Sequence, residues 1–553
     1  MLRLTEVRLP LDHQPEALQQ AVLERLDVPP ADILDIRIAR RGYDARRRSA
    51  IVLVYSLDVA VRDEAAARMR HPGLRLAPDT AYRFPTHVTD PRVRPVVIGT
   101  GPCGLLAALT LAEMGFRPII LERGKLVRER TRDTWALWRR RVLNTESNVQ
   151  FGEGGAGTFS DGKLYSGIKD NRHLGRRVLE VFVAAGAPEE ILWVSKPHIG
   201  TFRLVTVVEG IRARIEALGG EYRFGSRVDD IVLDHDRRLR AVVLADGSEV
   251  ATDAAVLAIG HSARDSFTML HQRGVAIEAK PFSIGVRIEH PQSLIDKARF
   301  GRAAGNRTLG AADYKLVHHA GNGRSVYSFC MCPGGRVVAA TSEEGCVVTN
   351  GMSQYSRAEF NANAGIVVGV TPADFPVMDH PGNPLGGVAF QRMWERRAFA
   401  AGGGTYDAPA QRLGDFLAAR ASTGLGSVVP SYRPGVRPAD LAACLPDFAV
   451  AAMRQALAAF GRNIPGFAMD DAVMTGVETR TSSPIRIRRG ADGQSVNTIG
   501  LFPAGEGAGY AGGILSAGVD GIRAAEAVAA ALTGTPLPEP MTRTEATPGG
   551  VYG

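Results

Sequence analysis

Gly99, Gly101 and Gly104 stand at the spacing G-x-G-x-x-G, and Glu122 follows Gly104 by 18 residues. Residues of these types at this spacing handle phosphate and sugar. The first glycine permits a tight turn, the second lets backbone approach a pyrophosphate, and the third lets helix and strand pack closely. The carboxylate can accept hydrogen bonds from both ribose hydroxyls. Pro102 and Arg123, beside these residues, join the candidate binding set. The glycine spacing alone is a weak signal, and its surroundings strengthen it. An apolar run (Val96, Val97, Ile98) precedes the glycines, and a helical apolar pattern follows through Leu105, Leu106, Ala108, Leu109, Leu111 and Ala112. Gly115 closes that helix, and residues 118–121 form a second apolar strand that ends in Glu122. The helix N-terminus offers free N–H groups and partial positive charge to phosphates. An adenine dinucleotide is the expected ligand.

Two further glycine-rich stretches have residue types suited to such a ligand. Residues 148–164 read NVQFGEGGAGTFSDGKL, where Gly152, Gly154, Gly155, Gly157 and Thr158 can present backbone amides to a phosphate or ring. Ser160, Asp161 and Lys163 lie in the same loop. Residues 497–532 begin with a strand that runs into Gly505-Glu506, and a glycine-rich helix follows from Gly512, Gly513 and Ile514. An acid at that strand end can bind ribose or ribityl hydroxyls. Cys330-Met331-Cys332 is a third feature. A CxC pair could be redox-active, but alternation places both thiols on one strand face, and the reading adopted is core packing. The sequence contains no zinc-type CxxC pair and no HExxH, and no metal is expected.

These residues need elements to position them. The chain has 553 residues, 45% hydrophobic and 22% charged, enough for two or three globular domains. Five scattered cysteines argue against a disulfide framework, and with no signal-peptide or membrane-span pattern the expectation is a cytoplasmic protein without membrane association. The net charge of +8 suits an anionic substrate or nucleic acid, and equally an arginine-rich composition.

Residues 1–90 alternate and repeat as β-α-β-β-α, with strands at 2–9, 33–39 and 49–57 and helices at 15–26 and 63–70, which suggests a small ferredoxin-like α+β module. Between its middle strands lie five arginines in the nine residues 40–48. That stretch could hold RNA, a phosphorylated ligand or an acidic partner, or be a solvated turn. The first part of the dinucleotide domain spans 91–264, including a basic helix within 123–141 and a buried strand at 254–262 that ends near Gly260 and His261. Residues 265–475 read as an inserted mixed α+β substrate domain, with strands at 281–288, 316–319, 325–332 and 336–341 and partly helical segments at 356–362 and 384–400. The dinucleotide domain resumes over 476–532, and 533–553 read as a disordered tail.

Taken together, VVIGTGPCGLLAAL, QFGEGGAGTFSDGKL, VLAIGHSARDS, KPFSIGVRIEHP, ETRTSSPIRI and PAGEGAGYAGGILSAGVDGIRAA resemble the two-dinucleotide-binding flavoproteins. Within that superfamily they are most similar to the bacterial FAD-dependent dehydrogenases, or FAD/NAD(P)-binding oxidoreductases. The resemblance covers about residues 96–532. It implies an α/β protein with a Rossmann-like, glutathione-reductase-like FAD domain, and FAD held by Gly99, Gly101, Gly104, Glu122, the 152–163 loop, Gly260 and Glu506. It does not imply a particular substrate. No second GxGxxG lies between 200 and 300, so NAD(P)H is expected at most as a transient electron donor. By chain position, Ser160, Asp161, Lys163 and His261 are the candidate catalytic groups beside the flavin, with Arg480, Ser482 and Ser483 as anchors for an anionic substrate. The plain alternatives are that His261 caps a helix and Lys163 pairs with a phosphate. The function expected is hydride transfer between FAD and a small, anionic or conjugated molecule. The alternatives are an RNA-associated flavoprotein and a redox sensor that holds FAD without catalysis.

Overall fold

The computed structural model describes residues 1–541 except 92, 378 and 381. Its organising layer is a five-stranded parallel sheet in the order Leu501–Pro503, Ala255–Leu257, Val96–Ile98, Ile119–Glu122, Glu221–Phe224. Its three central strands are buried along their whole length, as an unbroken apolar run requires when helices or sheets cover both faces. The helix Pro102–Glu113 begins with proline at its first turn, where the missing N–H costs nothing. Ten of its twelve residues are buried, because the C-terminal helix Ile514–Thr533 packs along it. Gly104 makes the strand-to-helix turn possible: a Cβ there would lie 1.9 Å from the Gly99 carbonyl oxygen.

The second large layer is an eight-stranded, mostly antiparallel sheet. Its path runs Val317–His319, Ser325–Ala339, Asn361–Val370, Phe282–Pro291, Val473–Glu478, Ala408–Arg412, Val436–Pro438, with Thr349–Ser353 paired to the long second strand. The segments expected as strands at 325–332 and 336–341 are one bent strand, Ser325–Ala339. Residues 356–362, expected to be partly helical, instead lead into the strand Asn361–Val370, which is paired on both sides. Helices Gly386–Ala401 and Asp447–Asn463 pack into this sheet's core.

The N-terminal segment forms an antiparallel sheet in the order Ile33–Asp44, Val52–Val61, Leu2–Pro10, Arg75–Leu76. Helices Glu16–Leu26 and Glu64–Arg70 accompany it. Val52–Val61 alternates buried and half-buried residues without a break, the period of a sheet with one covered face. The strand Ile33–Asp44 runs five residues past its expected end and absorbs half of the basic stretch. At Arg41 it docks on the body of the protein: Arg41 N donates to Trp193 O (2.7 Å) and Ser195 N to Arg41 O (2.9 Å).

The described part of the tail expected to be disordered is largely exposed, but it meets the body at Met541. Met541 is 5% exposed, and its N–H donates to Ala491 O. Residues 542–553 lie outside the described residues.

Candidate functional site

The fingerprint turn, the 152–163 loop and the N-terminus of helix Ile514–Thr533 open onto one cavity of about 1530 Å³. Every residue proposed from sequence lines it except Gly104, Gly154, Thr158, Ser482 and Ser483. Gly104 packs beneath the turn. Gly154 fixes the loop to the turn, its N–H donating to Thr100 O at 2.9 Å. Thr158 is buried with its hydroxyl unpaired among the described residues. Ser482 accepts a hydrogen bond from Lys280 at 3.3 Å, and Ser483 donates to Gly507 O at 3.2 Å. The two serines therefore belong to the wall's support, which corrects their assignment as substrate anchors.

The helix expected within 123–141 is Val127–Arg140, and it positions the glycine loop through one of its basic residues, Arg130. Arg130 is fully buried and donates to the carbonyls of Asn148 (2.7 Å), Val149 (2.7 Å) and Glu153 (2.8 Å). One guanidinium thus holds three carbonyls that regular secondary structure leaves unpaired.

The two strand-end acids differ. All four lone-pair sites of Glu122 are engaged, by Thr100 N (3.0 Å), Thr100 Oγ1 (2.6 Å), Gly124 N (2.9 Å) and Gly152 N (3.0 Å). It clamps turn to loop, and only the Thr100 hydroxyl could yield its place to a ribose hydroxyl. Glu506 lines the cavity with its carboxylate unpaired among the described residues. Burial pushes Glu506 up to about 7, with the nearby Lys280 opposing, and burial pushes Lys280 down to about 8.

The expected catalytic groups are held in fixed states. The Ser160 hydroxyl donates to Gly157 O (2.7 Å) and accepts from Gly162 N (3.0 Å), so it serves the turn. Burial favours the neutral acid at Asp161, yet Arg357 and Lys163 hold it down to about 2. Burial also disfavours the Lys163 ammonium, but Cys330, Cys332 and Asp161 keep it charged. Burial, then Arg480 and Arg264, push His261 down to about 3, so it is neutral at physiological pH. It caps no helix: its Nδ1 pairs with Ser262 Oγ at 3.0 Å. All four of these candidate catalytic residues line the cavity, as their chain positions led one to expect. Arg480 does line the cavity, but Glu395 neutralises it (3.0 Å), and it donates to Ser262 and Ser342.

These residues suit a long, anionic, ring-bearing cofactor. Two helix N-termini meet in one cavity, and an unpaired carboxylate beside them is available to hydroxyl groups. No Cβ contact within 4 Å would close the wall at Gly260 or Gly513.

Comparison with known proteins agrees. Residues 281–481 match the family model for a FAD-dependent protein, C-terminal domain-like, and residues 1–60 match a domain of unknown function. A relative from Clostridium beijerinckii, described as an uncharacterized protein, is 45% identical over 529 residues, covering 95% of this chain and 98% of the relative. The chain belongs to the same family as this relative, and it carries the C-terminal domain of FAD-dependent proteins. Glycine oxidase from Bacillus cereus is similar at 11% identity over 82% of this chain and 100% of that one, with a TM-score of 0.35. L-amino acid deaminase from Proteus vulgaris is similar at 10% identity over 84% and 95%, with a TM-score of 0.34. Likenesses this distant carry no inference about this chain.

Proposed function

We propose that the protein transfers a hydride between FAD and a small anionic substrate. The observation carrying this reading is the continuity of the cavity from the fingerprint turn to a cationic mouth. There the exposed side chains of Arg40 and Lys315 line the opening, and neither side chain has a hydrogen bond or ion pair among the described residues. Unpaired cations at a concave opening attract and orient anions. When bound, FAD supplies the two-electron chemistry. The Gly101 and Cys103 amides would hold its pyrophosphate, Glu506 a sugar or ribityl hydroxyl, and the 155–163 loop its ring system. Lys163, permanently charged, would stabilise negative charge developing on that side.

In this reading the first sheet and its helices form a glutathione-reductase-like FAD domain, the eight-stranded sheet closes the substrate side, and the N-terminal sheet is a ferredoxin-like module that lends Arg40 and Tyr43 to the mouth. The basic stretch then serves the cavity: Arg40 lines it, and Arg46 is tied to Asp44 at 2.9 Å. The test is the visible spectrum of purified protein under anaerobic addition of NADPH, then NADH. Rapid bleaching by one identifies a working oxidoreductase with a nicotinamide donor. Bleaching by neither points to reduction by the substrate itself or to a sensor, and a protein that takes up no FAD overturns the reading.

A further inference from the structure

Cys330 and Cys332 stand on the strand Ser325–Ala339, where its pairing with Asn361–Val370 shifts register between Phe329 and Cys332 and again between Cys332 and Gly335. Cys330 has φ +42°, in the left-handed region that residues with a Cβ seldom occupy. The bulge re-aims the chain, as bulges beside functional sites do. Cys330 lines the cofactor cavity and is half-buried, whereas Cys332 is 0% exposed and its thiol folds back to donate to the Cys330 carbonyl oxygen at 3.3 Å.

Two cations hold the peptide that links the thiols. Arg287 Nη1 donates to Cys330 O at 2.9 Å, and Lys163 Nζ donates to Met331 O. Lys163 belongs to the loop that lines the cofactor's part of the cavity, so the CxC segment is fastened directly to that loop.

The chemistry of the pair matches its placement. The neighbouring Cys332 lowers the Cys330 thiol, with Lys163 and Arg287 assisting against burial, while Cys330 and burial raise Cys332. Cys330, which lines the cavity, is thus the more acidic thiol of the two. Burial raises Cys103, Cys346 and Cys444 instead, which makes them inert.

We infer that Cys330 and Cys332 are a dithiol–disulfide couple facing the flavin site, a second two-electron carrier beside FAD. In the forward direction the two thiols form one S–S bond and release two electrons and two protons. FAD is the oxidant and is reduced by those two electrons and two protons. In reverse, reduced FAD returns the electron pair and the S–S bond breaks. The inference rests on FAD being the cofactor, not on the identity of the small substrate.

The full-length protein is treated with diamide and then alkylated and digested. The expected peptide containing both cysteines has lost two hydrogens and resists alkylation at both, while Cys332→Ser leaves Cys330 alkylatable. The diamide-treated, FAD-loaded protein is then titrated anaerobically with dithionite. Wild type should take up four electrons per flavin, and Cys330→Ser and Cys332→Ser two each. Full alkylation of both thiols after diamide overturns the inference, and so does an equal electron count in wild type and both variants. Dithionite replaces any substrate, so failure to find a natural donor leaves this test intact.

Discussion

Glu506 and Glu122 both stand at strand ends of one sheet, yet burial leaves them with different chemistry. Glu122 is saturated by four protein donors, while Glu506, raised by burial and by Cys330 against the opposing field of Lys280, lies near 7. Its folded pKa exceeds the ordinary 4.5, so the folded state binds more protons than the unfolded state between those two values. Stability contributed by the neutral acid is present at low pH and is lost as pH rises through about 7. Glu506→Gln removes that dependence. Measured by urea unfolding of flavin-free protein, wild type should lose stability relative to Glu506→Gln as pH rises across this window. Parallel pH profiles for the two proteins would refute the assignment. The same variant should bind FAD more weakly by roughly 1.5–3 kcal/mol, the contribution typical of a hydrogen bond to a charged group.

At the scale of elements, helices Pro102–Glu113 and Ile514–Thr533 must lie close enough for both N-termini to open on one cavity. Gly521 permits this: a Cβ there would lie 2.1 Å from the Cys103 carbonyl oxygen. Gly521→Ala should force the helices apart, costing about 1–3 kcal/mol and lowering both the melting temperature and FAD retention. Gly369, where an added Cβ meets nothing within 4 Å, is the control, and Gly369→Ala should leave both unchanged. Equal behaviour of the two variants would rule out close helix packing as the constraint. The fingerprint and its helix were legible in the sequence because their signals are local: a glycine spacing, an apolar run and a terminal acid within one βαβ unit. The strand Asn361–Val370 was not, since its small and polar start (Asn361, Ala362, Asn363, Ala364) takes extended form only through its two neighbours. The turn of Cys330 toward the cavity was hidden for a related reason. Alternation assumes a regular strand, and a bulge is set by a partner strand distant in sequence.

Across the whole molecule, the two large sheets are joined beside the cavity by one buried carboxylate. Glu395, on helix Gly386–Ala401, accepts from Arg264 (2.7 Å) at the start of helix Arg264–Gln272 and from Arg480 (3.0 Å) beyond strand Val473–Glu478. Thr479 adds a hydrogen bond at 2.8 Å. Burial opposes the charge, but Arg264 and Arg480 hold Glu395 well below the ordinary carboxylate range. The contacts are separated by 131 and 85 residues in sequence, which is why charge composition alone could not reveal them. Breaking such a pair is costlier than its net worth, because it strands buried cations. Glu395→Gln should destabilise the protein by about 3–5 kcal/mol. It should also weaken FAD retention, since Arg480, Ser262 and His261 form one hydrogen-bonded run along the cavity wall. If the penalty is stranded charge, adding Arg480→Met to Glu395→Gln should cost less than the sum of the separate effects, the signature of coupled groups in a double-mutant cycle. Additive penalties would instead make Glu395 a packing residue, and the two halves of the cavity would owe their alignment to apolar contact alone.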